Sequence, residues 1–120
     1  MKVHQIDHKG KSVFVGIDVH KKTYSVCVVA EHLPKPIKFG NIAADPEFLS
    51  KKLLGYFKGS NIYSVYEAGF SGFHLHRVLT KSGIKNIVVD PASIEVAVNN
   101  KVKNDKRDAL KMAVHLSNKM

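Results

Sequence analysis

The hydrophobic period of this chain changes at Asp45, and that change confines it to a fold that mixes strands and helices. Before Asp45, residues 12–19 (SVFVGIDV) and 23–30 (TYSVCVVA) are rich in β-branched residues and are joined by the polar His20, Lys21 and Lys22, the pattern of a β-hairpin. A third strand near 37–42 follows a turn carrying Pro34 and Pro36. After Asp45, Phe48, Leu49, Leu53, Tyr56 and Phe57 recur at helical spacing behind a cap residue, Asp45, and a helix-opening Pro46. Strand-like 61–66, helical 72–81 closed by Gly83, and strand-like 84–89 follow. Residues 92–102 are apolar without a clear period and fit helix or loop. A last helix is expected over 104–117, with Ala109, Met112, Ala113 and Leu116 as its apolar stripe.

Three antiparallel strands followed by alternating helices and parallel strands make an α/β mixed sheet covered by helices. RNase H-like domains have this order, and so do the half-domains of actin-like sugar kinases, so order alone does not decide function. The 120 residues suit one domain, expected over 12–120 behind a loose, polar leader over 1–11. No apolar run approaches the roughly 18 to 20 residues of a membrane span, and the first residues lack the apolar middle of a signal peptide, so a cytoplasmic protein is expected. The single cysteine, Cys27, lies within a β-branched run and reads as a small buried hydrophobe. Nineteen Lys and Arg against ten Asp and Glu give a net charge of +9, which makes nucleic acid the first partner to consider, although such a surface can also be merely solubilising.

Four carboxylates carry the candidate chemistry. Asp18 sits in a strand whose neighbours are almost all apolar, where a carboxylate is costly unless paired, hydrogen-bonded or bound to a metal; the alternative is a partly exposed residue capping the next turn. Alternation puts it on one face with Phe14, Gly16 and His20, with Gly16 leaving open space beside it. Glu67 falls at the end of the strand over 61–66, where ligand sites of such sheets gather, though an ordinary solvated Glu also fits. Asp105 and Asp108 are three residues apart in the first turn of the last helix, on the side of its apolar stripe, where acids also complement a helix dipole. Together the four suit Mg²⁺, with Mn²⁺ as substitute, because hard cations take oxygen ligands, and paired ions of this kind serve phosphodiester cleavage. Lys21, Lys22, Lys101, Lys103, Lys106 and Arg107 stand around them in the sequence as candidates to hold a nucleic-acid backbone, or as solvated faces. His74 and His76, two apart on a helix, lack the four-residue spacing of a zinc pair, and Tyr66 is expected to pack in the core.

The segments VGIDVHKKTYSVCVV, YEAGFSGFHLHRVL, and the stretch from VVDPASI to KNDKRDALKMAVHL resemble, in order and spacing, the amino-terminal domain of the DEDD transposases of the insertion sequence 110 family. The resemblance implies an RNase H-like, RuvC-like domain in which Asp18, Glu67, Asp105 and Asp108 coordinate Mg²⁺. It implies an enzyme that cuts and rejoins DNA, guided by a bridge RNA and acting as a homo-oligomer. A nucleophilic serine is expected in a carboxy-terminal domain that lies beyond Met120, so this segment alone is expected to be inactive. Asp90 in VVDP departs from the family, which carries Asn more often there, and fits a turn before Pro91. Two other classes compete: a nucleic-acid-binding or assembly module without its own activity, and a sugar-kinase-like phosphotransferase, for which HKKT is a poor phosphate loop.

Overall fold

The structure, a computed structural model, describes residues 6–69, 73–89 and 109–119. Five strands form one sheet in the order β3-β2-β1-β4-β5: β1 (Ser12–Val19), β2 (Thr23–Val29), β3 (Ile37–Ala43), β4 (Asn61–Glu67) and β5 (Lys85–Val89). β1, β2 and β3 are an antiparallel meander, while β4 and β5 join parallel to β1 and to each other, as the two-stage hydrophobic pattern predicts. Among the described residues three helices cover the sheet: α1 (Pro46–Tyr56), α2 (His74–Lys81) and α3 (Ala109–Lys119).

The central strand β1 is buried on both faces, which is why its sequence reads as a nearly continuous apolar run. Val13, Val15 and Ile17 are fully buried in the larger core, with Tyr24, Val26 and Val28 of β2, Leu49, Leu53 and Phe57 from the α1 segment, and Leu75 and Leu79 of α2. The α1 amino terminus is made as its sequence suggests: the Asp45 carboxylate accepts from the Phe48 amide at 3.2 Å, and Pro46 opens the helix. Phe48 departs from the expected apolar stripe and is 48% exposed, because Leu49, Leu53 and Phe57 repeat at four-residue steps toward the sheet and the preceding residue lies about 100° around the helix.

The other face of the sheet carries α3. Phe14 of β1 and Tyr63, Val65 and Val89 pack with its Met112 and Leu116, and the Phe14 and Tyr63 rings stack with centroids 5.3 Å apart. The predicted stripe of the last helix is the one buried: Ala109, Met112, Ala113 and Leu116. Cys27 is buried, as its surroundings in sequence imply.

Residues 8–11, within the stretch read as a leader, make contacts with the rest of the fold. Gly10 donates its amide to the Gly59 carbonyl, and the Asn61 amide donates to the Lys11 carbonyl at 2.7 Å, so the backbone of this polar segment is satisfied by the α1–β4 turn. His8 is buried against the Phe57 ring, with Nδ1 2.9 Å from His32 Nε2. A polar composition concealed this because the segment is anchored through its backbone and one histidine.

Candidate carboxylate site

β1 and β4 run in parallel with a constant register, from Ser12 beside Asn61 to Ile17 beside Tyr66. One further step of that register sets Asp18 beside Glu67, at the carboxyl ends of two adjacent strands about 4.8 Å apart. Strand alternation turns both toward the α3 face, since Phe14 and Gly16 of β1 and Tyr63 and Val65 of β4 are on that side. Both carboxylates are half-buried. Asp18 Oδ2 lies 3.3 Å from His20 Nε2, so the histidine just past the strand end has the carboxylate itself as its neighbour.

The position of α3 follows from Gly16. A Cβ there would collide with the Ala109 carbonyl oxygen and lie 2.8 Å from the Ala113 nitrogen, so the helix backbone rests directly on β1. The space beside Asp18 that a glycine was expected to leave open is therefore occupied by helix backbone over Gly16, and Ala109 and Ala113 are small enough to allow it. From Gly16 the helix runs back toward the start of β1, where Val114 and Ser117 share a cavity lining with Lys11 and Ser12. Its described beginning thus lies at the same end of the sheet as Asp18 and Glu67. Asp108 and Asp105 precede Ala109 by one and four positions in the sequence. Both lie outside the described residues, as do Lys101, Lys103, Lys106, Arg107 and Asp90. Among the described residues no three His, Cys, Asp or Glu side chains are grouped to hold a metal ion. Lys21 and Lys22 are exposed in the β1–β2 turn.

Two polar residues that motif reading passed over extend the carboxylate pair across the sheet. Asp18 pairs with Ser25 of β2, and Ser25 pairs with Asn41 of β3, the serine hydroxyl donating to the Asn41 Oδ1 at 2.8 Å. A row of Asn41, Ser25, Asp18 and Glu67 therefore crosses four strands. Its signal in the sequence is the hairpin register, which depends on loop closure. The His20 amide donates to the Thr23 carbonyl and sets Val19 opposite Tyr24, one residue later than a connection of only His20 to Lys22 would imply.

Below Glu67 the strand end is held by hydrogen bonds. The Ala68 amide donates to the Val89 carbonyl at 2.8 Å. Tyr66 is fully buried, as expected, and its hydroxyl accepts from the His76 amide at 3.1 Å; burial pushes its pKa up, while that bond and the Arg77 charge pull it down. The bond substitutes for a missing cap: Phe73 stands at the α2 N-cap without a side-chain acceptor, and His76 carries one of the first-turn amides that no helical carbonyl can reach. Ser64 Oγ donates to Asn86 Oδ1 at 2.6 Å, and the Asn86 amide lies 2.9 Å from His76 Nδ1, which ties β4, β5 and α2 together. His76 is thus a packing residue.

Comparison with a solved structure places this architecture. The large terminase nuclease from thermophilic phage G20c superposes with a TM-score of 0.52 at 15% identity, covering 78% of this chain and 53% of that one. The fold is RNase H-like. The chain belongs to the DEDD transposase family of insertion sequence IS110, whose profile, described as transposase, matches residues 15–119. The transposase for insertion sequence element IS1533 of Leptospira borgpetersenii is 34% identical over 105 residues, 86% of this chain and 30% of its own length. The y4qE protein of Sinorhizobium fredii (strain NBRC 101917 / NGR234) is 30% identical over 105 residues, 86% of this chain and 27% of its own length. The chain spans under a third of the length of either relative. The sugar-kinase reading loses its basis, because it rested on element order, which this transposase family shares. Among the described residues no helix is long and apolar enough to cross a membrane.

Proposed function

We propose that this chain supplies the metal-binding carboxylates of a transposase that cuts and rejoins DNA strands. The observation that carries the reading is the register of β1 and β4, which sets Asp18 beside Glu67 at the end of the sheet where α3 begins. Two like charges on neighbouring strands repel each other, and a divalent cation between them converts that repulsion into attraction. Their oxygen donors fit Mg²⁺ or Mn²⁺. Asp105 and Asp108 are the further ligands in this reading, carried just ahead of α3 in the sequence. The bound metal would activate the attacking oxygen and stabilise the leaving oxygen of a phosphodiester. Asp18 and Glu67 hold it. His20 keeps Asp18 oriented by its contact at 3.3 Å, and Tyr66 with Asn86 fixes the strand end that bears Glu67.

Lys21 and Lys22, with Lys101, Lys103, Lys106 and Arg107, are proposed to meet the DNA backbone. A guide RNA, a homo-oligomeric assembly and a cytoplasmic setting belong to the same proposal for the whole enzyme. The test is Mn²⁺ titration of this chain, followed by electron paramagnetic resonance, with Asp18→Asn and Glu67→Gln as variants. Saturable binding that each variant weakens by on the order of tenfold or more supports the reading. Equal binding in the parent and both variants removes the carboxylate pair from it.

A further inference from the structure

Basic side chains that the motifs do not account for gather between α1 and α2. A cavity of about 660 Å³ there is lined by Lys51 of α1 and by His74, Arg77 and Lys81 of α2, with Glu47 as the acid among its lining residues. His74, Arg77 and Lys81 follow at three- and four-residue steps, so one face of α2 presents them in a line about 10 Å long. All four basic residues are exposed, and among the described residues Lys51, Arg77 and Lys81 form no salt bridge with a carboxylate. His74 also lines a second, smaller cavity with His20 and Lys21 of the β1–β2 turn. The two hollows therefore join at His74 into one track, which begins two residues past Asp18 and leaves along α2. The larger cavity at the opposite end of the sheet has a single lysine, Lys11, in its lining, together with Glu31.

We propose that this track binds the phosphodiester backbone of duplex DNA, with Lys51, Arg77 and Lys81 as its phosphate contacts. The choice of partner rests on the DNA chemistry proposed above; the location rests on the track itself. One strand of a duplex presents a phosphate about every 3.4 Å along the axis, so the line from His74 to Lys81 on α2 spans about three of them. Exposed cations held together on one helix face attract a polyanion with little rearrangement. The fixed direction from Lys81 to Lys21 would lead a bound duplex toward the β1 end that carries Asp18.

The test measures binding of this chain to a labelled DNA duplex by fluorescence anisotropy, in EDTA, over about 50 to 200 mM salt. With metal removed, the outcome does not depend on whether the carboxylates bind it. The triple variant Lys51→Gln, Arg77→Gln, Lys81→Gln is compared with an equal charge change elsewhere, Lys35→Gln, Lys38→Gln, Lys58→Gln. The groove triple is expected to flatten the dependence of log K on log salt by about 2.7, at about 0.9 per lost phosphate contact, and the control triple to leave the slope nearly unchanged. Equal effects of the two triples, or binding of RNA with none of duplex DNA, overturn the proposal. A second readout needs no variant: DNA should protect Lys51 and Lys81 from acetylation more than Lys35 and Lys38, and uniform labelling with and without DNA also overturns it. Loss of Mn²⁺ binding alongside a retained slope change would sink the carboxylate reading and leave the track in place.

Discussion

The two faces of the sheet are packed in opposite ways. On the α1 and α2 face, fifteen buried residues among those described, mostly large, separate helix from strand. On the α3 face the helix backbone touches the strand at Gly16, and among the described residues Val65, Met112 and Leu116 form a smaller buried cluster. Large side chains give cohesion and hold helices off the sheet. Small ones let a helix come close, so that its beginning is set directly against the strand end that bears a carboxylate. The first face stabilises the fold and the second positions the candidate site.

Substitutions can break this contrast. Leu53→Ala removes a fully buried side chain from the larger core and is expected to lower unfolding free energy by about 4 kcal/mol, measured by urea denaturation. Gly16→Ala is expected to cost about 3 kcal/mol although it adds a single carbon, because the new Cβ meets helix backbone that cannot yield. A loss below about 0.5 kcal/mol would mean that α3 does not lie as closely as described. Tyr66→Phe keeps the ring buried and strips the His76 amide of its acceptor, for a loss of about 1 kcal/mol and faster hydrogen exchange at the start of α2.

Smaller still is the effect of the histidine pair beside the larger core. Burial pulls the pKa of His8 and of His32 below the usual histidine value, so the folded state favours both neutral. Their contribution to stability is therefore present above the unfolded value of about 6.5 and is lost as pH falls through the lower folded values. Thermal melts should show a decline below about pH 6.5 that His8→Phe flattens; an identical pH profile in that variant would remove the pair as its source. At the other end of the scale, Asp18→Asn is expected to change stability by no more than about 0.5 kcal/mol, since a half-buried carboxylate with a solvent-facing His20 as its neighbour contributes little to folding.

Much of the molecule was legible in the order of residues. The two hydrophobic periods give the strands and helices, the Asp45 and Pro46 pair marks where α1 begins, and the stripe from Ala109 to Leu116 is the one α3 buries. Those features depend on neighbours a few residues apart, and short-range geometry is periodic. Family membership was legible for a related reason: three spaced motifs record chemistry that the backbone must serve.

Tertiary structure decided what depends on register and close approach. Asp18 comes beside Glu67, and Ser25 beside Asp18, through pairings between segments whose offsets no local pattern encodes. Gly16 read as vacant space and proved to be the seat of a helix; the anchoring of His8 and the cationic track through His74 were equally silent in sequence. The physical reason is common to all of them: a periodic pattern tells which face of an element is apolar, whereas which element arrives on that face, and at what distance, is settled when the whole sheet closes.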